Sequence, residues 1–330
     1  MLSSTVLILV VVLALVFDFI NGFHDTANAI ATSVSTRVLS PLNAIILASL
    51  LNFLGAFINV KVAKTVGADL VNPNLVPQTV VVAALLAAIT WNIITWYFGI
   101  PSSSSHALIG GLLGSAVIFK GTLFIVNWHN FFVKVLLWLF LSPIIGFIAG
   151  YIFMTLLYWL LKNARPTSVS RIFSKAQIAS AAWMAFNHGG NDAQKSMGVI
   201  TMALLSGGII SRFEVPIWVR IACAIAMALG TSFGGWKIIK TMGINMARLA
   251  PVNGFAAETA AASVIFTATM LHAPVSTTHI ISTSIMGVSA SKRFSSVRWA
   301  LAKNIVWAWV LTIPMCALMG GLIIYLIKLM

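Results

Sequence analysis

Hydrophobic positions along the chain gather into windows of about 20 residues separated by short polar breaks, without the two-residue alternation of lipid-facing strands. The windows run approximately over 4–20, 42–60, 78–99, 104–119, 131–161, 176–187, 193–209, 217–236, 252–272, 276–290 and 298–327. A helix of about 20 residues crosses a hydrocarbon core of about 30 Å. The pattern therefore predicts an all-α polytopic membrane protein with about 10–12 membrane segments, half-helices included. Several windows are too short to span. They flank polar, Gly- or Pro-containing breaks at residues 21–22, 101–105, 187–192 and 274–278. Backbone broken at membrane depth is tolerated only where protein buries it or where it lines a wet cavity, so these breaks are the places expected to carry function. The long windows 131–161 and 298–327, interrupted by Pro143 and Pro314, are expected to be kinked scaffold or oligomer-contact helices.

The pattern also repeats. Pro101-Ser102-Ser103-Ser104-Ser105-His106 returns 173 residues later as Pro274-Val275-Ser276-Thr277-Thr278-His279, and each motif runs into an apolar helix with Gly at the equivalent place, Gly114 and Gly287. Lys61-Val62-Ala63-Lys64-Thr65-Val66-Gly67 returns 176 residues on as Lys237-Ile238-Ile239-Lys240-Thr241-Met242-Gly243. His24-Asp25-Thr26-Ala27-Asn28 is matched, at an offset of 167, by Asn191-Asp192-Ala193-Gln194-Lys195. Three echoes in one order at nearly one offset divide the chain into a first membrane repeat (1–161), a short polar linker expected to be cytoplasmic (162–175) and a second repeat (176–330). Paired interrupted segments in two halves point to a transporter site at the repeat interface.

Composition sharpens this picture. Of 330 residues 60% are hydrophobic and 8% are charged, against about 25% in an average soluble protein, and the mean hydropathy is +1.00. That excludes a water-soluble globule. The 20 Lys and Arg against six Asp and Glu leave a formal charge of +14. In a membrane protein such an excess belongs to cytoplasmic loops and anionic lipid headgroups, and no interleaving of basic and aromatic residues suggests nucleic acid. Basic clusters lie at Lys162, Arg165, Arg171 and Lys175, and at Lys292, Arg293, Arg298 and Lys303. Cys223 and Cys316 sit inside apolar runs with no disulfide pattern. The first 17 residues lack a basic start and a small-residue cleavage site, so they read as a first membrane helix.

Candidate chemistry concentrates in the breaks. Asp25 and Asp192 hold matching positions in otherwise apolar sequence, where a carboxylate costs several kcal/mol unless it is paired, hydrated or protonated. Asp18 and Glu258 also fall in apolar windows, as structural partners or second-site cation ligands. A Pro followed by hydroxyl residues and an apolar run is a helix start, where hydroxyls and free backbone N–H groups converge at the positive end of the dipole. One hydroxyl would suffice for capping. Ser103, Ser104 and Ser105, with Ser276, Thr277 and Thr278, exceed that need, and two such starts facing each other would surround a tetrahedral oxyanion with donors. Bringing such an anion beside Asp25 and Asp192 requires accompanying cations. Lys195, three residues beyond Asp192 and on its helical face, supplies one fixed charge; sodium, protons or a divalent metal held by Asp25 and Asp192 would supply the rest.

The segment from Asn21 to Ala29, with Asn191-Asp192-Ala193-Gln194-Lys195-Ser196-Met197-Gly198, closely resembles the duplicated signature of the Pit inorganic phosphate transporters, and the resemblance covers essentially the whole chain. It implies a secondary transporter of two inverted repeats in the cell membrane, holding phosphate between half-helices and driven by an ion gradient. Carried over by position, Asn28, Asn191 and Lys195 become phosphate ligands beside the six hydroxyls, and Asp25 and Asp192 cation ligands; His24, a departure from the family, and Glu258, from its apolar setting, are counted with them as cation- or proton-coupling groups. Sodium-coupled members have Asn-Asp in both signatures, whereas the first copy here reads His24-Asp25. An imidazole is a poor sodium ligand and titrates near neutral pH, so proton coupling, or carriage of a metal–phosphate complex, is expected.

The expectation is thus phosphate uptake by cation symport, with no resident cofactor, no enzymatic activity and no nucleic-acid partner; homo-oligomerisation is open. A sulfate permease on the same scaffold is the nearest alternative, followed by a proton/cation antiporter using the two Asp residues. An intramembrane aspartyl protease would leave the repeated hydroxyl clusters unexplained. His129 and His272 are expected to be structural, His106 and His279 gain interest because they repeat, and His188 stays ambiguous beside the second signature.

Overall fold

The computed structural model describes residues 2–329, with side chains from residue 5. The first half contains α1 (Leu2–Ser35), α2 (Pro41–Gly55), α3 (Lys61–Lys64) continued by a π-helical turn (Thr65–Asp69), α4 (Gln78–Phe98), α5 (Ser104–Lys120), α6 (Trp128–Asn130) and α7 (Leu137–Leu161). The second half follows the same order with α8 (Pro166–Ser206), α9 (Ile217–Phe233), α10 (Trp236–Lys240) with its own π-helical turn (Thr241–Asn245), α11 (Pro251–Met270), α12 (Thr277–Lys292) and α13 (Trp299–Leu329). Among the described residues there is no β-strand, only an isolated bridge between Val71 and Val126. By length and hydropathy alone, α1, α4, the run from α6 through α7, and α13 can cross a membrane, and α9 with α10 and its π-helical turn passes the same test as a pair bent by 63°, a broken span or a re-entrant loop.

The halves are interlocked rather than side by side. α5 packs on α13 and α12 on α7, while α1 lies against α9 and α2 against α8. Glycines set these approaches. A Cβ on Gly114 would lie 2.0 Å from the Ala317 carbonyl oxygen, and one on Gly287 2.0 Å from that of Phe147. The repeated glycines thus let two helix backbones touch, as small residues do in membrane interfaces. The Lys-Lys-Thr-Gly echo has an equally matched role. Lys61 Nζ donates to Met270 O at the end of α11 (3.5 Å) and Lys237 Nζ to Tyr97 O near the end of α4 (2.9 Å), so each places a cation against the negative end of a helix in the other half.

Two expectations change. Asn21-Gly22 and residues 187–192 do not break the chain: α1 and α8 run through them without interruption, so windows 176–187 and 193–209 form one helix of 41 residues. The glycines that suggested breaks are packing surfaces instead. A Cβ on Gly22 would meet Met227 O of α9 at 2.5 Å, and one on Gly189 would meet Asn52 O of α2 at 2.2 Å. Second, most of the expected linker is helical, because α8 starts at Pro166, a residue suited to the first helical turn. α7 and α13 each run as one helix through the prolines at which kinks are expected, Pro143 and Pro314. The breaks at 101–105 and 274–278 do interrupt the helices, and α12 behind the second is buried from Thr277 to Ala290.

Candidate functional site

Two helix starts and two helix middles converge at the centre of the bundle. α5 and α12 begin there, capped by Ser103 and Ser276, whose hydroxyls accept from His106 N (3.2 Å) and His279 N (3.3 Å). Those two hydroxyl oxygens therefore do the capping that one residue per helix suffices for. The rest of each cluster is free for other partners. Ser104 Oγ and Thr278 Oγ1 both donate to Asp25 of α1, each at 3.5 Å, and Thr277 Oγ1 donates to Asp192 of α8 at 3.4 Å. Asn28 Nδ2 donates to Thr278 Oγ1 at 2.9 Å and Thr277 Oγ1 at 3.2 Å, tying α1 to the start of α12. Ser105 turns to the second break, donating to Val275 O (3.2 Å).

Each carboxylate has its own basic neighbour. His24 Nδ1 lies 2.6 Å from Asp25 Oδ1, and Lys195 Nζ 2.5 Å from Asp192 Oδ1. All four residues are buried, Lys195 to 0% exposure, where an unpaired ammonium would not be tolerated. The signatures place Lys195 opposite Asn28 and Asn191 opposite His24. The second pair keeps its partners in step: His24 Nε2 contacts Thr95 Oγ1 of α4 (3.0 Å), and Asn191 Nδ2 donates to Thr269 Oγ1 of α11 (2.8 Å). Ser102 Oγ also donates to Thr95 Oγ1 (2.9 Å).

His188 joins this centre. One turn before Asp192 on α8, its Nε2 lies 3.6 Å from Asp192 Oδ2 while its Nδ1 contacts Asn52 Oδ1 at 3.1 Å. Asp25, His188 and Asp192 each present a ligand atom within 4.8 Å of the others, a buried N/O set suited to a cation. The side-chain carbonyl oxygens of Asn21, Asn28 and Asn191 have no hydrogen-bond partner among the described residues, and neither does His188 Nε2. Such orphaned buried acceptors fit a positively charged ligand. Chemically, hydroxyls and helix N-termini can take an oxyanion while carboxylates, amide oxygens and imidazoles take a proton or a metal.

Of the sequence candidates, Asp25, Asn28, Ser104, Asp192, Lys195, Thr277 and Thr278 come together directly. Glu258 stands in a separate cluster: it accepts from Thr32 Oγ1 (2.5 Å), Gln177 Nε2 (3.2 Å) and the Ser180 hydroxyl, with no contact to Asp25 or Asp192. Thr95 and Thr269 carry no role in the sequence reading, Asn21 enters it only within a break and the first signature, and His188 only as ambiguous. His188 had a usable signal, its position four residues before Asp192 on one helical face. Thr95 and Thr269 had a weaker one, a threonine at the end of each apolar window preceding a Pro-Ser/Thr break.

Comparison with known proteins supplies the family. The sequence profile described as the phosphate transporter family, PHO4, matches twice, over residues 21–169 and 161–320. A Bacillus subtilis protein named "Probable low-affinity inorganic phosphate transporter" is 50% identical over 324 residues, 97% of this chain and 97% of its own length. One of the same name from Rhizobium meliloti is 48% identical, over 97% of this chain and 96% of its own. A solved structure titled "The sodium-dependent phosphate transporter" superposes with a TM-score of 0.88 at 25% identity, covering 99% of this chain and 100% of its own. Both copies of the profile fall on the two halves that build the central site, and the chain belongs to the phosphate transporter family, as a multi-pass membrane transporter and not an enzyme.

Proposed function

We propose that this protein imports inorganic phosphate by cation symport, with the proton as coupling ion and His24 as the group that carries it. The observation behind this is the 2.6 Å contact of His24 with Asp25, the carboxylate that the Ser104 and Thr278 hydroxyls also reach. The charge balance runs as follows. Asp192 is neutralised by the fixed ammonium of Lys195; Asp25 is neutralised only when His24 is protonated. An anion entering between α5 and α12 meets about one uncompensated negative charge when His24 is neutral and none when it is charged, so anion and proton bind together. The two halves, 1–161 and 176–330, act as inverted repeats rocking around the site, which exposes it to each side in turn.

Uptake of labelled phosphate into proteoliposomes under an imposed proton or sodium gradient tests this. Proton-driven uptake that Asp25→Asn abolishes, and whose pH dependence His24→Asn flattens, is the expected result. An unchanged pH profile in His24→Asn would remove the coupling role, and uptake with sodium alone would keep the substrate and discard the proton. A second reading is favoured by the cluster of Asp25, His188 and Asp192: phosphate travels as a neutral complex with a divalent metal. Its signature is uptake requiring magnesium or another divalent ion and lost in His188→Ala. Because hydroxyl donors accept any tetrahedral oxyanion, sulfate competition at pH 6 and 8 tests specificity; only phosphate changes its protonation over that range.

A further inference from the structure

We propose that the cavity at the C-terminal end of α12 is a second anion site, built to hold a phosphoryl group outside the transport centre. The cavity measures about 680 Å³, within the range of about 300–1,000 Å³ usual for small-molecule sites. Arg248, Lys292, Arg293 and Arg298 line it, with Ser289 and Tyr158. None of the four cations has an ion-pair partner among the described residues. Nor could they find one nearby. The chain has six carboxylate side chains, and each is placed elsewhere: Asp69 on Lys134, Glu214 on Arg212, Asp25 and Asp192 in the central site, Glu258 on Thr32 and Ser180, and Asp18 buried. The α12 dipole contributes roughly half a negative charge at this end, far short of four positive ones. Ser289 adds an independent sign, being 7% exposed with a hydroxyl that has no hydrogen-bond partner.

The first half carries a different set of charges at the equivalent positions. The equivalent region is registered by Asn127 N donating to Leu70 O, matched by Arg298 N donating to Met246 O, and by the indoles of Trp128 and Trp299 donating to Leu123 O and Phe294 O. There Asp69 and Lys134 form a half-buried ion pair at 2.6 Å. In the second copy those positions are Asn245 and Ile305, and Asn72 and Asn127 are replaced by Arg248 and Arg298. A half-buried ion pair in the first half thus corresponds to exposed cations with no carboxylate beside them in the second, a difference that favours an external anion. Tyr158, from the last turn of α7, puts the cavity on the same face as Lys162 and Arg165, the basic face expected toward anionic headgroups. α12 therefore connects two anion-binding ends, with Thr277 and Thr278 at its start and this pocket at its finish.

A phospholipid headgroup and free inorganic phosphate share the required chemistry, and the protein in detergent can separate them. Retained phosphatidylglycerol is counted by native mass spectrometry, and labelled phosphate by equilibrium dialysis in lipid-free micelles of a non-ionic maltoside detergent. If lipid is the source, phosphatidylglycerol stays with the wild type and is retained about tenfold less by Arg248→Gln/Arg298→Gln, with the Lys pair Arg248→Lys/Arg298→Lys recovering it. If free phosphate is the source, a phosphate-binding event survives Asp25→Asn and disappears in Arg248→Gln/Arg298→Gln. Phosphate binding lost only in Asp25→Asn reports the transport centre alone, so the two readings fail separately. Should the double variant not fold, protection of the Lys292 amine from acylation by phosphatidylglycerol or phosphate gives the same answer in the wild type. Equal lipid retention and phosphate binding in wild type and the folded double variant, or a Lys292 that neither probe protects, overturns the proposal.

Discussion

Removal of the Lys195 ammonium is the sharpest test of the central site. Its Nζ lies 2.5 Å from Asp192 Oδ1, and both side chains are buried. At an effective dielectric of about 20 the attraction at that distance is about 6–7 kcal/mol, set against several kcal/mol of desolvation per ion. The other groups around Asp192 compensate little: Thr277 at 3.4 Å, Asn21 at 3.5 Å and His188 at 3.6 Å are all long contacts. Lys195→Met therefore leaves a buried carboxylate without its counter-charge and is expected to destabilise the fold by about 3–5 kcal/mol. Lys195→Met/Asp192→Asn removes both charges and is expected to recover most of that loss, because a buried pair replaced together is often nearly neutral. Equilibrium unfolding in mixed micelles, followed through the 11 tryptophans, measures both. A single variant within about 0.5 kcal/mol of wild type, or a double variant as unstable as the single, would refute the pairing and with it the view of Lys195 as the site's fixed cation.

Further outcomes follow from the same contacts. Gly114→Ala and Gly287→Ala each place a Cβ 2.0 Å from a carbonyl oxygen across a helix pair, so both are expected to lose about 1–3 kcal/mol or more in thermal unfolding, by equal mechanisms in the two halves. Glu258→Ala strands the donors of Thr32, Gln177 and Ser180 and is expected to cost about 1–3 kcal/mol, and Glu258→Gln less, as read by the same unfolding measurement. Thr95→Val removes the hydroxyl that His24 and Ser102 share, so the pH profile of uptake is expected to shift while Thr269→Val, its counterpart beside Asn191, leaves that profile in place.

The sequence alone determined the solvent, the all-helical class and the duplication, but not where every helix breaks. Charge at 8% and apolar windows of helical length leave no other fold class, because unpaired backbone cannot face lipid. The repeated Asp, Pro-Ser/Thr and Gly positions also identified the convergent residues, since a carboxylate or a run of hydroxyls in apolar sequence has few reasons to exist other than a site. Tertiary structure decided what the pattern could not encode. Gly22 and Gly189 read as chain breaks in one dimension and prove to be contact surfaces, a difference visible only when Met227 and Asn52 lie against them. Glu258 shares the apolar setting of Asp25 but faces Thr32, Gln177 and Ser180, because side-chain direction depends on which helices α11 meets. His188, Thr95 and Thr269 enter the centre by the same logic, each brought there by packing between helices far apart in the chain. A sequence periodicity names the buried face of a helix; which partner that face meets is fixed only by how the helices pack.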